Sequence, residues 1–422
     1  MKLLWLSNLA PGPVQEQLGK SKKAGLWMDH VLEDLRKRRD LELLLLCPGS
    51  QEACGRLDDR CSWQTFPRQK PEAVEKSQKD LFLRALRDFG PDCIHIWGTE
   101  FGHSLNMLEA ARDLGLLDKT AVSIQGLTCH CARHYAEGIP LSVQRGYTFR
   151  DFLRQDNILQ QQETFRRRGE HELAALRLAR HVLGRTHWDR ACTRQLAPQA
   201  AYHLCNETLR QEFYEGSWRY ESCEPHRIFV SNCLYPVKGF HYALEALAMV
   251  LDRYPDAVLA VPGRDPRAKT WKEKLRQDSY ARYLERLTKA LHLEGKVQYL
   301  GSLNAGEMKA EYLKANAFIL PSCLENSSNS LGEAMLLGLP VAAADVGGTA
   351  TLLRGGEEGY VYQSTAPYML ADCITSIFDM GSKAEEMGRK ARLHAADTHD
   401  PHKNLEALLA VYEALAGENG KE

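Results

Sequence analysis

Residues Leu320–Val341 read LPSCLENSSNSLGEAMLLGLPV, and this stretch decides the fold. The apolar run from Phe318 to Pro321 predicts a buried strand. Small polar residues then make a loop, and from Ser330 onward apolar residues return every three or four positions, as a helix requires. A second strand, Val341 to Ala344, follows Gly338, Leu339 and Pro340. Strand, loop, helix and strand in this order form a crossover unit, which sets both strands parallel in a sheet covered by helices. Ligands of such sheets bind beyond the carboxyl ends of the strands, where a helix N-terminus presents amides without intrahelical partners. Glu325 in the loop and Glu333 in the helix bracket that N-terminus. Two carboxylates would weaken a site for phosphate alone, so the pair points to a ligand that carries hydroxyls as well as phosphates.

The same alternation extends in both directions. Strands are predicted at Leu3–Ser7, Glu42–Cys47, Cys93–Trp97, Ala121–Gln125, His181–Arg185 and Tyr202–Cys205, with helices such as Trp27–Arg38 and Leu105–Leu114 between them. A second series runs through Ile228–Ser231, Val258–Pro262, Val297–Leu300, Phe318–Pro321, Val341–Ala344 and Tyr360–Gln363, separated by helices at Tyr242–Leu251, Trp271–Leu291 and Ala305–Lys314. The chain has 422 residues, beyond the roughly 250–300 at which a single core stops growing. An α/β protein of two doubly wound domains is therefore predicted. Residues 1–207 form the first, with a helical insertion at about 145–180, and residues 226–400 form the second. Residues 208–225, where Glu, Arg, Tyr, Gly and Ser replace periodic apolar positions, read as a linker, and 401–422 as a C-terminal helix and tail able to pack back on the first domain.

Composition narrows the function. With 54 Lys+Arg against 55 Asp+Glu the formal charge is −1, so the chain generates no field for nucleic acid, and none is expected as a partner. No apolar run approaches the ~18 residues of a membrane span, and Leu3 to Leu6 is too short for the core of a signal peptide. Twelve irregularly spaced cysteines fit reduced thiols, so a cytoplasmic location is expected. Between Arg145 and Arg190 lie ten arginines, six acids and the aromatic Phe149, Phe152 and Phe165. That insertion reads either as a solvated helical excursion or as a cationic, apolar surface for an anionic lipid-linked or polymeric acceptor, with peripheral contact at the inner face of a membrane.

Glu325, seven intervening residues and Glu333, preceded by Pro321 and Ser322 and followed by Gly338 to Val341 and Asp345 to Gly348, resemble the signature of retaining glycosyltransferase family 4. The resemblance implies the GT-B fold, two Rossmann-like domains facing a cleft. It also implies that Glu325 contacts the transferred sugar, that Glu333 holds the donor ribose, and that amides of Asn329, Ser330 and Leu331 meet the diphosphate. Tyr235 to Phe240 is similar to the Pro-x-Lys-Gly element of that family, which assigns diphosphate neutralisation to Lys238, beside Gly239. The arginine that usually stands five residues earlier is Cys233 here, and Arg264 is the candidate to replace its charge. Gly301 to Asn304 resembles the base-binding turn, with Leu303 at the nucleobase. In the first half the resemblance assigns donor approach to Gly25 and donor-side edges to Thr186 and Asn206, while His103 and Glu100 are candidates to touch the acceptor. Gln125 stands where many relatives carry a histidine near the sugar, and His95 reads as a structural histidine on a buried strand.

The function implied by the resemblance is that of a retaining hexosyltransferase, moving sugar from a nucleotide diphosphate sugar, a UDP-sugar above all, to a hydroxyl of a saccharide or lipid-linked acceptor. Cell-envelope or exopolysaccharide synthesis would be its setting. No Asp-x-Asp occurs, so a metal-independent site without a cofactor is expected, the nucleotide sugar being a co-substrate. Cys129, Cys131 and His134, with Cys47, Cys54 and Cys61, have the residue types of metal ligands but lack a second closely spaced pair. No strand-borne Gly-x-Gly-x-x-Gly and no P-loop is present, against a dehydrogenase or a P-loop enzyme. Three alternatives stand beside this reading: an epimerase or hydrolase of sugar nucleotides with the same fold, a glucan phosphorylase or synthase, and a non-catalytic partner of another transferase.

Overall fold

A computed structural model of the chain describes residues 1–19 and 27–417, so Gly25 lies outside the described residues. The chain divides into two compact units. The first comprises Met1–Ala132, Thr164–Thr208 and the segment from His399 onward; the second comprises Arg133–Glu163 and Leu209–Thr398.

Eight strands build the first unit: β1 (Lys2–Ser7), β2 (Glu42–Gly49), β3 (Ala53–Arg56), β4 (Cys61–Pro67), β5 (Cys93–Trp97), β6 (Thr120–Ser123), β7 (His181–Gly184) and β8 (Ala201–Leu204). Their order is β3-β4-β2-β1-β5-β6-β7-β8, and every pairing is parallel except β3 with β4. Successive side chains of β1 enter opposite cores. Leu4 and Leu6 join Phe82, Ile94 and Val122 on one face, while Leu3 and Trp5 join Leu45 and the C-terminal helix residues Leu408 and Tyr412 on the other. That helix, Pro401–Gly417, thus belongs to the first unit. Its buried Tyr412 hydroxyl accepts from Trp5 Nε1 at 3.0 Å and meets His95 Nδ1 at 2.6 Å, while His95 Nε2 meets Ser123 Oγ at 2.7 Å. Burial pushes His95 down to about 3, so it is a neutral, structural ring joining two strands and the terminal helix.

The second unit carries β9 (Arg227–Phe229), β10 (Val258–Val261), β11 (Val297–Tyr299), β12 (Ala317–Leu320), β13 (Val341–Asp345) and β14 (Tyr360–Gln363), all parallel in the order β11-β10-β9-β12-β13-β14. Counted within the unit, that is the doubly wound order in which the direction of winding reverses between β9 and β12. In the first unit the reversal falls between β1 and β5.

Four expectations need correction. The strands β3 and β4 are absent from the sequence-based prediction, although the alternation of buried Cys61, Trp63 and Thr65 along β4 carries a strand period. The helix expected over Trp271–Leu291 is two helices, Trp271–Arg276 and Ser279–Ala290: Gln277 is extended, and Asp278 starts a new helix by accepting from the Ala281 amide at 2.7 Å. Residues 208–225 are no linker. Leu209, Phe213 and Trp218 are core residues of the second unit, and Trp218 Nε1 donates to the Ala315 carbonyl at 2.7 Å. Finally, the insertion is divided between the units. Residues Arg133–Glu163 belong to the second, because His241 Nε2 meets the Glu137 carbonyl at 3.0 Å and Arg282 donates to the Tyr147 carbonyl at 2.7 Å.

His95 makes stability depend on pH. Its folded pKa of about 3 lies below the ordinary 6.5, so from about pH 6.5 downward the unfolded chain binds a proton that the folded chain refuses, and stability falls with pH. One proton corresponds to about 1.4 kcal/mol per pH unit. The unfolding free energy of wild-type protein should therefore drop more steeply between about pH 6 and 4 than that of His95→Gln, by about that slope. Equal slopes in denaturant titrations would contradict a neutral His95.

Candidate functional site

The loops that follow β9 and β12 meet where the winding reverses. After β9 the chain makes a 3-10 turn, Pro236–Lys238, and Gly239 at φ +65° opens the helix Phe240–Leu251. A Cβ at Gly239 would stand 1.9 Å from the Pro321 carbonyl oxygen, so only glycine lets this turn lie against the end of β12. Gly347, at φ +51°, approaches from the β13 side, where a Cβ would stand 1.9 Å from the Glu325 carbonyl oxygen. The turn from Pro321 to Glu325 is thus held between two glycines. Within it Glu325 Oε1 accepts from Lys238 Nζ at 2.6 Å and from Ser322 Oγ at 2.7 Å.

The expected helix runs over Asn329–Leu337. Ser328 caps it, its Oγ accepting from the Leu331 amide at 3.4 Å and lying 3.0 Å from Ser330 Oγ. Leu331 itself is a core residue and has only its backbone to offer. Asn329 Oδ1, at the first turn of the helix, is buried and has no hydrogen-bond partner among the described residues. Glu333 is buried and takes both arms of Arg210, Nε at 2.7 Å and Nη2 at 2.8 Å. Burial pushes the Glu333 carboxyl up, and the Arg210 fork opposes that shift. Arg210 lies in the segment that reads as a linker, where no pattern marks it.

Beside these loops, the chain after β10 and after β11 is joined by Gly263 N donating to the Gly301 carbonyl at 2.7 Å. Arg264 is exposed and opens onto a pocket of about 530 Å³ with Cys233, Arg267 and Tyr280 in its walls. Leu303 packs, half-buried, against the core of the second unit.

The reversal in the first unit gathers a second polar group. Asn8, directly after β1, donates Nδ2 to Glu100 Oε2 at 2.8 Å, and its Oδ1 meets His103 Nε2 at 2.7 Å. Arg168 donates Nε to the Glu100 carbonyl at 2.8 Å and stacks over Phe101. Burial pushes Glu100 up to about 7 and His103 down to about 3, so near neutral pH the carboxyl is poised to titrate while the imidazole stays uncharged. Sequence reading finds His103 and Glu100 and misses Asn8 and Arg168; the place of Asn8 after a strand flanking a reversal is the available signal. Gln125 Nε2 donates to Glu207, whose other oxygen accepts from Arg185 Nη1. Thr186 is buried and its hydroxyl caps the helix His187–Leu196, while Asn206 lines a small pocket with Trp97, Ser123 and Asn404. Among the described residues no group of three His, Cys, Asp or Glu side chains could hold a metal ion.

Residues 221–394 match the family model described as "Glycosyl transferases group 1". The D-inositol 3-phosphate glycosyltransferase of Corynebacterium glutamicum is 29% identical over 195 residues, which are 44% of this chain and 43% of that protein. Spore coat protein SA of Bacillus subtilis is 24% identical over 188 residues, 44% of this chain and 48% of its own. The chain thus spans less than half the length of these curated relatives. Likeness to solved structures extends over nearly the whole chain. Sucrose-phosphate synthase from Thermosynechococcus elongatus superposes with a TM-score of 0.69 at 16% identity, covering 98% of this chain and 99% of that one. Anabaena HepE in complex with UDP-glucose does so with 0.67 at 15% identity, covering 98% and 100%. Two Rossmann-like parallel sheets and these likenesses give the chain the GT-B fold.

The Arg210 and Glu333 pair gives a stability test. Arg210→Ala leaves a buried carboxylate unpaired and should cost about 3–5 kcal/mol, while Arg210→Ala with Glu333→Ala should cost less than the sum of the single changes. Denaturant unfolding measures both; a loss under about 0.5 kcal/mol for Arg210→Ala would contradict the buried pair.

Proposed function

We propose that the chain is a retaining glycosyltransferase of family 4 that moves a hexose from a UDP-sugar to a hydroxyl of a saccharide or lipid-linked acceptor without a metal ion. The observation that carries this reading is the meeting of Lys238, Glu325 and the Asn329 helix N-terminus at the winding reversal of the second unit. The match of residues 221–394 to the family model covers these groups, and curated relatives named as glycosyltransferases support the same class.

Cation, amides and carboxylates divide the work by charge. A diphosphate is dianionic or more, and Lys238 is the cation at its entrance. Binding would exchange one partner of Lys238 for another, phosphate for Glu325, and the freed Glu325 carboxylate would then accept hydrogen bonds from hydroxyls of the sugar. Amides of Asn329 and Ser330 add positive potential at the helix N-terminus. As the bond from the anomeric carbon to the phosphate oxygen breaks, these groups hold charge that develops on the leaving diphosphate, a term worth several kcal/mol when preorganised. Acceptor oxygen attacks from the same face and its proton passes to the departing phosphate, so no protein nucleophile is required. In this scheme Glu333, fixed by Arg210, takes the ribose hydroxyls on the lone pairs that Arg210 leaves.

A panel of UDP-sugars with saccharide and lipid-linked acceptors, each with and without EDTA, tests the reading. Turnover that survives EDTA is expected; complete loss reversed by a divalent ion would overturn the metal-free scheme. Glu325→Ala should lower kcat by about a hundredfold or more with donor affinity little changed, whereas Glu333→Ala should mainly weaken donor binding. Wild-type kinetics in both variants would remove the site assignment. Consumption of UDP-sugar that never needs an acceptor would favour the hydrolase or epimerase alternative.

A further inference from the structure

The structure assigns a docking face for an anionic membrane surface to the second unit, built from two short helices, Phe149–Arg154 and Trp271–Arg276. It goes beyond the transfer reaction and does not rest on it.

Exposed apolar groups concentrate there. Of the fifteen large hydrophobic side chains exposed among the described residues, seven fall within residues 141–153 and 271–275. Phe152 is 64% exposed, Leu153 65% and Trp271 68%, with Phe149, Tyr147 and Leu275 beside them. The two helices adjoin: Thr148 and Phe149 share the walls of one depression of about 880 Å³ with Lys274 and Leu275. They are also fastened. Thr148 and Asp151 form a capping box, Asp151 further accepts from Ser279 Oγ, and Arg282 donates to the Tyr147 carbonyl at 2.7 Å. Projection of these rings into solvent is therefore built into the fold, which is unusual for a surface with no partner.

Cations frame the apolar groups. Residues 269–289 hold seven Lys and Arg against three Asp and Glu. Exposed Lys272, Lys274, Arg276, Arg286 and Lys289 come from the two helices after Thr270, and the exposed Arg145 and Arg154 come from the segment that carries Phe149 and Phe152. Aromatic and leucine side chains ringed by Lys and Arg match the boundary of an anionic bilayer, where rings enter the acyl edge and cations meet phosphates. A soluble polyanion would use the cations and leave the rings in water. No helix of the described residues is long and apolar enough to cross a membrane, so contact through this face is peripheral.

Sedimentation of the full chain with vesicles tests the assignment. Wild-type protein should partition onto phosphatidylglycerol-containing vesicles and little onto phosphatidylcholine alone, and added salt should weaken it. Phe149→Ser, Phe152→Ser and Trp271→Ser together should lower the partition coefficient about tenfold or more, and Lys274→Glu with Arg286→Glu should lower it and flatten its salt dependence. Undiminished partitioning of the triple variant overturns the assignment, as does retention on polyglutamate-type polyanions with no vesicle binding, which would mark a polyanion site instead. Should the triple variant fail to fold, Trp271→Ser alone serves: the difference between wild-type and variant tryptophan emission shifts to the blue on anionic vesicles if Trp271 enters the bilayer, and an unshifted difference overturns the assignment. UDP binding, measured in parallel, separates this outcome from failure of the transferase reading.

Discussion

The ion pair between Lys238 Nζ and Glu325 Oε1, at 2.6 Å, is the contact on which the rest of the second unit's site depends. Its partners come from loops after neighbouring strands, β9 and β12, that lie on either side of the winding reversal. The loop after β9 lies against the end of β12 only because Gly239 sits where any Cβ would strike the Pro321 carbonyl oxygen, and from the β13 side Gly347 approaches the Glu325 carbonyl oxygen as closely. The pair is partly exposed, so its direct worth to stability is small, under about 1 kcal/mol. What it supplies is position. It sets a cation and an anion beside the start of the helix Asn329–Leu337.

Topology places a second polar group in the first unit by the same rule. There the reversal between β1 and β5 sets Asn8 against Glu100 and His103. Burial acts on the two ionisable groups in opposite senses, raising the carboxyl and lowering the imidazole, because water withdrawal disfavours whichever form is charged. Glu333 is pushed in the same upward direction by burial, and the two donors of Arg210 oppose that shift.

Much of this was legible in the sequence. Continuous apolar runs such as Ala317 to Leu320 and Cys93 to Trp97 mark strands buried on both faces, and the small polar residues after Pro321 mark the loop that leads into the helix Asn329–Leu337. Less legible were features that depend on long-range partners. Arg210 sits among polar residues with no period, and its role appears only when the fold brings it to Glu333, 123 positions further along the chain. The assignment of Arg133–Glu163 to the second unit rests on bonds to His241, Ser279 and Arg282, which no local pattern announces. The break at Gln277 and Asp278, on the other hand, was readable: an aspartate that can cap lies before a fresh amphipathic run.

If Lys238 and the Asn329 helix start form a metal-free diphosphate site, calorimetric titration of UDP into protein treated with EDTA shows it most directly. Saturable one-to-one binding is expected, and Lys238→Ala should weaken it about tenfold to a hundredfold, the loss of one charge-assisted contact to phosphate. Absence of binding by the wild-type chain, or equal affinity in the variant, would contradict such a site.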